Sequence, residues 1–86
     1  MEDLEFFRAQ IDEVDKQLLN LLLDRKNLVK KIWDYKKWKD IDAYQPDRWQ
    51  KVLDSRKAFA KEIGLDEKFI ETFWNDIHKY SLEVEK

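Results

Sequence analysis

The sequence predicts an all-helical fold, one long helix followed by two shorter ones, and three observations carry that expectation. Apolar residues recur at three- and four-residue intervals through most of the chain. One glycine and one proline leave little turn-forming material, and no stretch keeps the alternating pattern of a strand. The 86 residues make one domain, 1–86, small enough that a monomeric core is marginal, so a partner is expected. With no cysteine, neither disulfide nor thiolate chemistry is available. The acidic start Met1, Glu2, Asp3 lacks the layout of a secretion signal, which makes the cytoplasm the expected compartment. No apolar run approaches the roughly 20 residues of a membrane span, so no membrane is expected. A formal net charge of −2 with mixed signs argues against nucleic acid, and the basic segment from Arg25 to Lys39 reads as a solvated face.

The first helix is expected over Leu4 to Lys39, capped by Asp3 and ended at Asp40, Ile41 and Asp42 before the proline. Its seam runs Leu4, Phe7, Ile11, Val14, Leu18, Leu21, then Arg25, then Leu28, Ile32 and Tyr35, a heptad pattern with one cationic interruption. Arg8 and Lys36 lie in the neighbouring column of the same face. About 36 residues at 1.5 Å each make a rod of roughly 54 Å, about twice the diameter of a compact domain this small. Two shorter helices cannot cover it. A second copy of the same helix, antiparallel by two-fold symmetry, is the simplest cover, and a homodimer is expected.

Pro46 suits the first turn of the second helix, expected over roughly Pro46 to Ile63, because its missing N–H would have no partner there. Trp49, Val52, Leu53, Phe59, Ala60 and Ile63 keep helical spacing, and Gly64 stands where a left-handed residue ends a helix. Asp66 reads as the cap of the third helix, with Leu65 and Ile70 placed for a hydrophobic staple. The third stripe is Ile70, Phe73, Trp74, Ile77, Ser81 and Val84, so a hydroxyl enters an apolar face. Trp33, Trp38, Trp49 and Trp74 are expected to pack in the core.

An unpaired buried charge costs several kcal/mol, so Arg25 demands an anion. Arg25 and Lys36 are three turns apart, about 16 Å along one face, and long side chains can close on one small ligand. Arg8 lies roughly 26 Å from Arg25 within one chain, but a partner's Arg8 could reach it in an antiparallel dimer. Two guanidiniums and an ammonium suit a small dicarboxylate, because arginine binds carboxylate bidentately. The competing arrangement pairs Arg8 and Arg25 with Asp12, Asp15 or Asp24 and sets only helix register. The single histidine, His78, offers no metal site or hydrolytic triad and is expected to be packed or solvated. There is no glycine-rich phosphate loop, and neither metal nor cofactor is expected.

The ordered set Phe7 to Asp15, Leu18 and Leu19, Asp24 and Arg25, Leu28 and Val29, Tyr35 to Lys37, Gln45 to Arg48, Gly64 to Asp66, and Ile77, His78 and Ser81 resembles the all-helical chorismate mutases over essentially the whole chain. The resemblance implies an intertwined antiparallel homodimer that rearranges chorismate to prephenate without a cofactor. By position, Arg8 matches the arginine lent to the other subunit's site and Arg25 the in-chain carboxylate-binding arginine. Lys36 matches the lysine at the ether oxygen, Arg48 a further site arginine, and Ser81 a serine near a substrate carboxylate. Gln45 and Trp49 stand where many members carry Asp and Glu near the ring hydroxyl, and Glu85 where many carry Gln beside the ether oxygen. The run Gln45, Pro46, Arg48, Trp49 is similar to a branch fused to the enzyme that opens the aromatic pathway, which implies association with another aromatic-pathway enzyme. Two alternatives stay open: an isochorismate pyruvate lyase on the same helices, and a non-catalytic dimer that binds such ligands as a regulatory module.

Overall fold

A computed structural model describes residues 3–41 and 46–85, with the side chain of residue 85 excepted. Three helices make up the described chain: α1 (Leu4–Lys39), α2 (Pro46–Ile63) and α3 (Glu67–Glu85), with no strand among the described residues. Each boundary has a local cause. The Asp3 carboxylate accepts from the Phe6 N–H at 3.0 Å and starts α1. At the other end Asp40 turns left-handed, φ 59° and ψ 47°. The Ile41 N–H then reaches back to the Lys36 carbonyl at 2.8 Å and the Asp40 N–H to that of Lys37 at 3.3 Å, the paired bonds of a Schellman ending. The end of α2 repeats the arrangement with Gly64 at φ 90° and the Leu65 N–H on the Ala60 carbonyl at 2.7 Å. Asp66 caps α3 by accepting from the Lys68 N–H at 2.8 Å.

The helix α3 packs against both α1 and α2. Val52, Leu53 and Ala60 of α2 and Ile70 of α3 are the buried apolar residues, so the core lies between α2 and α3 and each interdigitating side chain there comes from a position the apolar spacing marks. By contrast α1 buries none of its residues. Its seam side chains Ile11, Val14, Leu18, Leu21, Leu28 and Ile32 are all exposed. The described chain measures 58 × 24 × 16 Å with a radius of gyration of 16.4 Å, against about 12 Å for a compact chain of this length. Long extent and bare seam have one origin: a 36-residue helix beside partners of 18 and 19 residues.

The tryptophans depart from the core expectation: Trp33, Trp49 and Trp74 are half-buried and none of the four is fully buried. Trp38 is 75% exposed and carries the Lys39 ammonium over its ring at 4.3 Å. None of the described helices is long and apolar enough to cross a membrane.

Candidate active site

The helices α1 and α3 bring Arg25 and Ser81 together from 56 residues apart in sequence. The guanidinium donates from Nη1 to Ser81 Oγ at 2.8 Å in a half-buried setting. Ser81 can stand in an apolar stripe because its hydroxyl receives this bond. Burial first, and then the charge of Arg56, pull Arg25 below the ordinary arginine value. Among the described residues neither Arg25 nor Arg8 pairs with Asp12, Asp15 or Asp24. The side-chain hydrogen bond Arg25 makes there goes to an uncharged hydroxyl, so its positive charge is left for an anion to complete.

Two surfaces flank this contact. On one side α1 and α3 line a cleft of about 250 Å³ that Arg25, Ser81, Lys26 and Asp76 border, its walls otherwise apolar with Leu22, Val29, Ile77 and Val84. Toward α2 the surroundings are polar and aromatic. The Trp49 indole stacks on the His78 imidazole, centroids 3.9 Å apart and planes 13° from parallel. Burial, and next the charge of Arg25, push His78 below the ordinary histidine value, so the imidazole is neutral at neutral pH. The second effect places His78 in the field of Arg25. It is three residues before Ser81 and therefore shares that face of α3.

The remaining residues singled out from the sequence are dispersed within one chain. Arg8 is exposed near the start of α1 and donates to Glu5 at 2.7 Å, a solvated i, i+3 pair worth at most about 0.5 kcal/mol. Lys36 is half-buried three turns beyond Arg25. Arg48 is exposed in the first turn of α2, beside the half-buried Trp49. Gln45 and the side chain of Glu85 lie outside the described residues. Two neighbours of Arg25, Arg56 and His78, were not among the candidates. A signal for Arg56 existed: Trp49, Leu53, Arg56, Ala60 and Ile63 follow the same three-four spacing that exposes Arg25 as a cation in a seam. His78 carried no comparable mark, because its role depends on which α2 residue it meets.

The profile of the chorismate mutase type II family matches residues 7–86. The chain is 38% identical over 69 residues to the T-protein of Enterobacter agglomerans, covering 80% of this chain and 18% of that protein. It is 31% identical over 67 residues to the chorismate mutase of Methanocaldococcus jannaschii, covering 78% of this chain and 68% of that protein. To the 4-amino-4-deoxychorismate mutase of Streptomyces venezuelae it is 31% identical over 83 residues, covering 96% of this chain and 81% of that protein. The chain thus spans less than a fifth of the T-protein and most of the other two. A match that takes in all three helices and both halves of the Arg25–Ser81 contact places this chain in the chorismate mutase type II family.

Proposed function

We propose that this chain is an isomerase that converts chorismate to prephenate, working as an intertwined antiparallel homodimer in the cytoplasm. The observation that carries the reading is the half-buried Arg25, bound among the described residues only to the Ser81 hydroxyl and bordered by Arg56, a site suited to a carboxylate. The rearrangement is intramolecular: one C–O bond breaks as one C–C bond forms, with no nucleophile, metal or cofactor required. Its catalyst is a clamp. Arg25 with Ser81 takes one carboxylate, Arg8 of the second subunit takes the other, and Arg48 adds charge at the rim. Held this way, the enolpyruvyl group stays over the ring, which removes much of the entropic barrier. Lys36, with Glu85 protonated, faces the ether oxygen and stabilises the charge that develops there. Gln45 and Trp49 border the ring.

The dimer follows from unfinished surfaces. The bare α1 seam fits a helix of a second copy better than any polar ligand. A second hollow of about 380 Å³ between α2 and α3 is lined by Phe59, Ile63, Leu65 and Trp74. The Trp74 indole N–H is buried without an acceptor among the described residues, and a second subunit can supply one. A bifunctional chorismate mutase/prephenate dehydratase of Aquifex aeolicus, 30% identical over 63 residues that make up 73% of this chain and 17% of that protein, supports association with another enzyme of the aromatic pathway.

The Streptomyces relative favours a second substrate, 4-amino-4-deoxychorismate, through its 96% coverage of this chain. Purified protein offered chorismate, its 4-amino analogue and isochorismate in parallel separates the readings. Prephenate from chorismate supports the proposal. Turnover of the amino analogue alone, pyruvate release from isochorismate, or binding without turnover would each replace it.

A further inference from the structure

A bare helical seam can pair with its own copy at more than one level, and the level decides whether Arg8 of one chain meets Arg25 of the other. Resting on the dimer reading, we propose that a polar ladder along one flank of the α1 seam locks that level. In it Lys31 meets Asp3 of the second copy, Asp24 meets Gln10 of the second copy, and Gln17 meets its own copy at the two-fold axis. Three observations support this.

The first is spacing. The seam repeats every seven residues, and in an antiparallel pair its two apolar columns face each other. Leu4 then lies opposite Leu28, Phe7 opposite Arg25, Ile11 opposite Leu21 and Val14 opposite Leu18. Arg8, one residue past Phe7, comes level with Arg25, and a slip of one heptad moves it about 10 Å along the axis, beyond a guanidinium contact. The second is occupancy. The flanking column that holds Leu22 and Val29 is half-buried at those residues, which line the cleft against α3. The opposite column, Asp3, Gln10, Gln17, Asp24 and Lys31, is exposed throughout and makes no ion pair among the described residues. Like flanks meet in an antiparallel pair, so this column faces its own copy. The third is sign. At the level that aligns Arg8 with Arg25, each Lys31 meets an Asp3 and each Asp24 meets a Gln10 amide, twice over by symmetry. Asp3 uses one carboxylate oxygen on the Phe6 N–H at 3.0 Å, and the other remains for the ammonium. A slip of one heptad in one direction sets Asp3 against Asp24, a repulsion at both ends of the seam. The opposite slip sets Asp3 against Trp38 and Lys31 against Gln10, with no ion pair in the column. The charges thus favour the one level at which the site is shared.

Within one chain Lys31 and Asp3 stand about 42 Å apart along α1, so any direct link between them joins two copies. Zero-length carbodiimide coupling of ammonium to carboxylate, on the full chain at micromolar concentration, should join Lys31 to Asp3, with mixed isotope labelling showing that the link spans two chains. Two variants of one exposed residue read the ladder a second way. Gln10→Lys adds an ion pair with Asp24 at two places in the dimer, and Gln10→Glu adds a repulsion at the same two places. Unfolding in urea, which leaves charges unscreened, followed over a range of protein concentrations should give a dimer Kd about three- to tenfold lower for Gln10→Lys and higher by a similar factor for Gln10→Glu. Salt at about 0.5 M should shrink both changes. Asp24→Lys added to Gln10→Glu should restore the wild-type value, and Lys or Glu at Asn20, off the seam, should differ little. A helix answering only to its own dipole would prefer Glu to Lys near its start, so the order of the two variants separates pairing between copies from stability within one chain. A wild-type dimer in which Lys31 does not link to Asp3, or in which both Gln10 variants match wild type, would overturn the ladder and leave the dimer standing. A wild-type monomer at micromolar concentration would overturn the ladder and the dimer reading together.

Discussion

Deleting one oxygen atom tests the contact on which the site rests. Ser81→Ala removes the acceptor 2.8 Å from the Arg25 guanidinium and adds no bulk. A hydrogen bond to a charged group contributes about 1.5–3 kcal/mol, and because Arg25 is half-buried the lower end applies, about 1.5 kcal/mol. For a domain of 60–100 residues each kcal/mol moves the melting temperature by about 4–8 °C, so Ser81→Ala should melt roughly 6–12 °C lower. Thermal unfolding by circular dichroism at one fixed protein concentration measures this, the concentration being held because a dimer's melting point depends on it. The double variant with Arg25→Ala should cost clearly less than the sum of the two single changes, since both remove the same bond. A melting point within about 1 °C of wild type, or strict additivity, would refute the contact as a stabilising one.

Other consequences follow from particular residues. Arg25→Ala should lower kcat for chorismate at least about a hundredfold, the usual cost of one preorganised donor, and steady-state rates check it. Asp40→Gly should stabilise the chain by up to about 1 kcal/mol in urea titration, because glycine relieves the left-handed conformation without disturbing the backbone bonds that end α1. His78 titrates lower in the folded chain than in the unfolded one, so between those two values the unfolded state binds the extra proton and stability rises with pH. Its contribution is complete above the ordinary histidine value and is lost as pH falls through the depressed one. Denaturation midpoints measured across pH 5 to 7 should therefore show a slope in the wild type that His78→Phe reduces.

The helix boundaries were legible because their causes are local. Asp3, Pro46, Gly64 and Asp66 act within four residues of where they stand, and the structure starts and ends the helices beside them. Asp40 in the left-handed region was less so, since that position more often carries glycine. The seam showed that Arg25 needed an anion but not that its contact within the chain would be a hydroxyl 56 residues away. The stack of Trp49 on His78 depends on the register of α2 against α3, which neither helix encodes alone. The tryptophans were misjudged for the same reason: their apolar bulk suggests burial, while three are half-buried and Trp38 is exposed.

Subunit complementation tests the shared site most directly. In the proposed dimer the site on each chain takes its own Arg25 and the other chain's Arg8, so Arg8→Ala homodimers and Arg25→Ala homodimers should both be inactive on chorismate. After equal mixing and full exchange, half the dimers are mixed and each keeps one intact site, which sets the expected recovery at about a quarter of wild-type prephenate formation. No recovery, with subunit exchange verified by mass-tagged chains, would contradict the account.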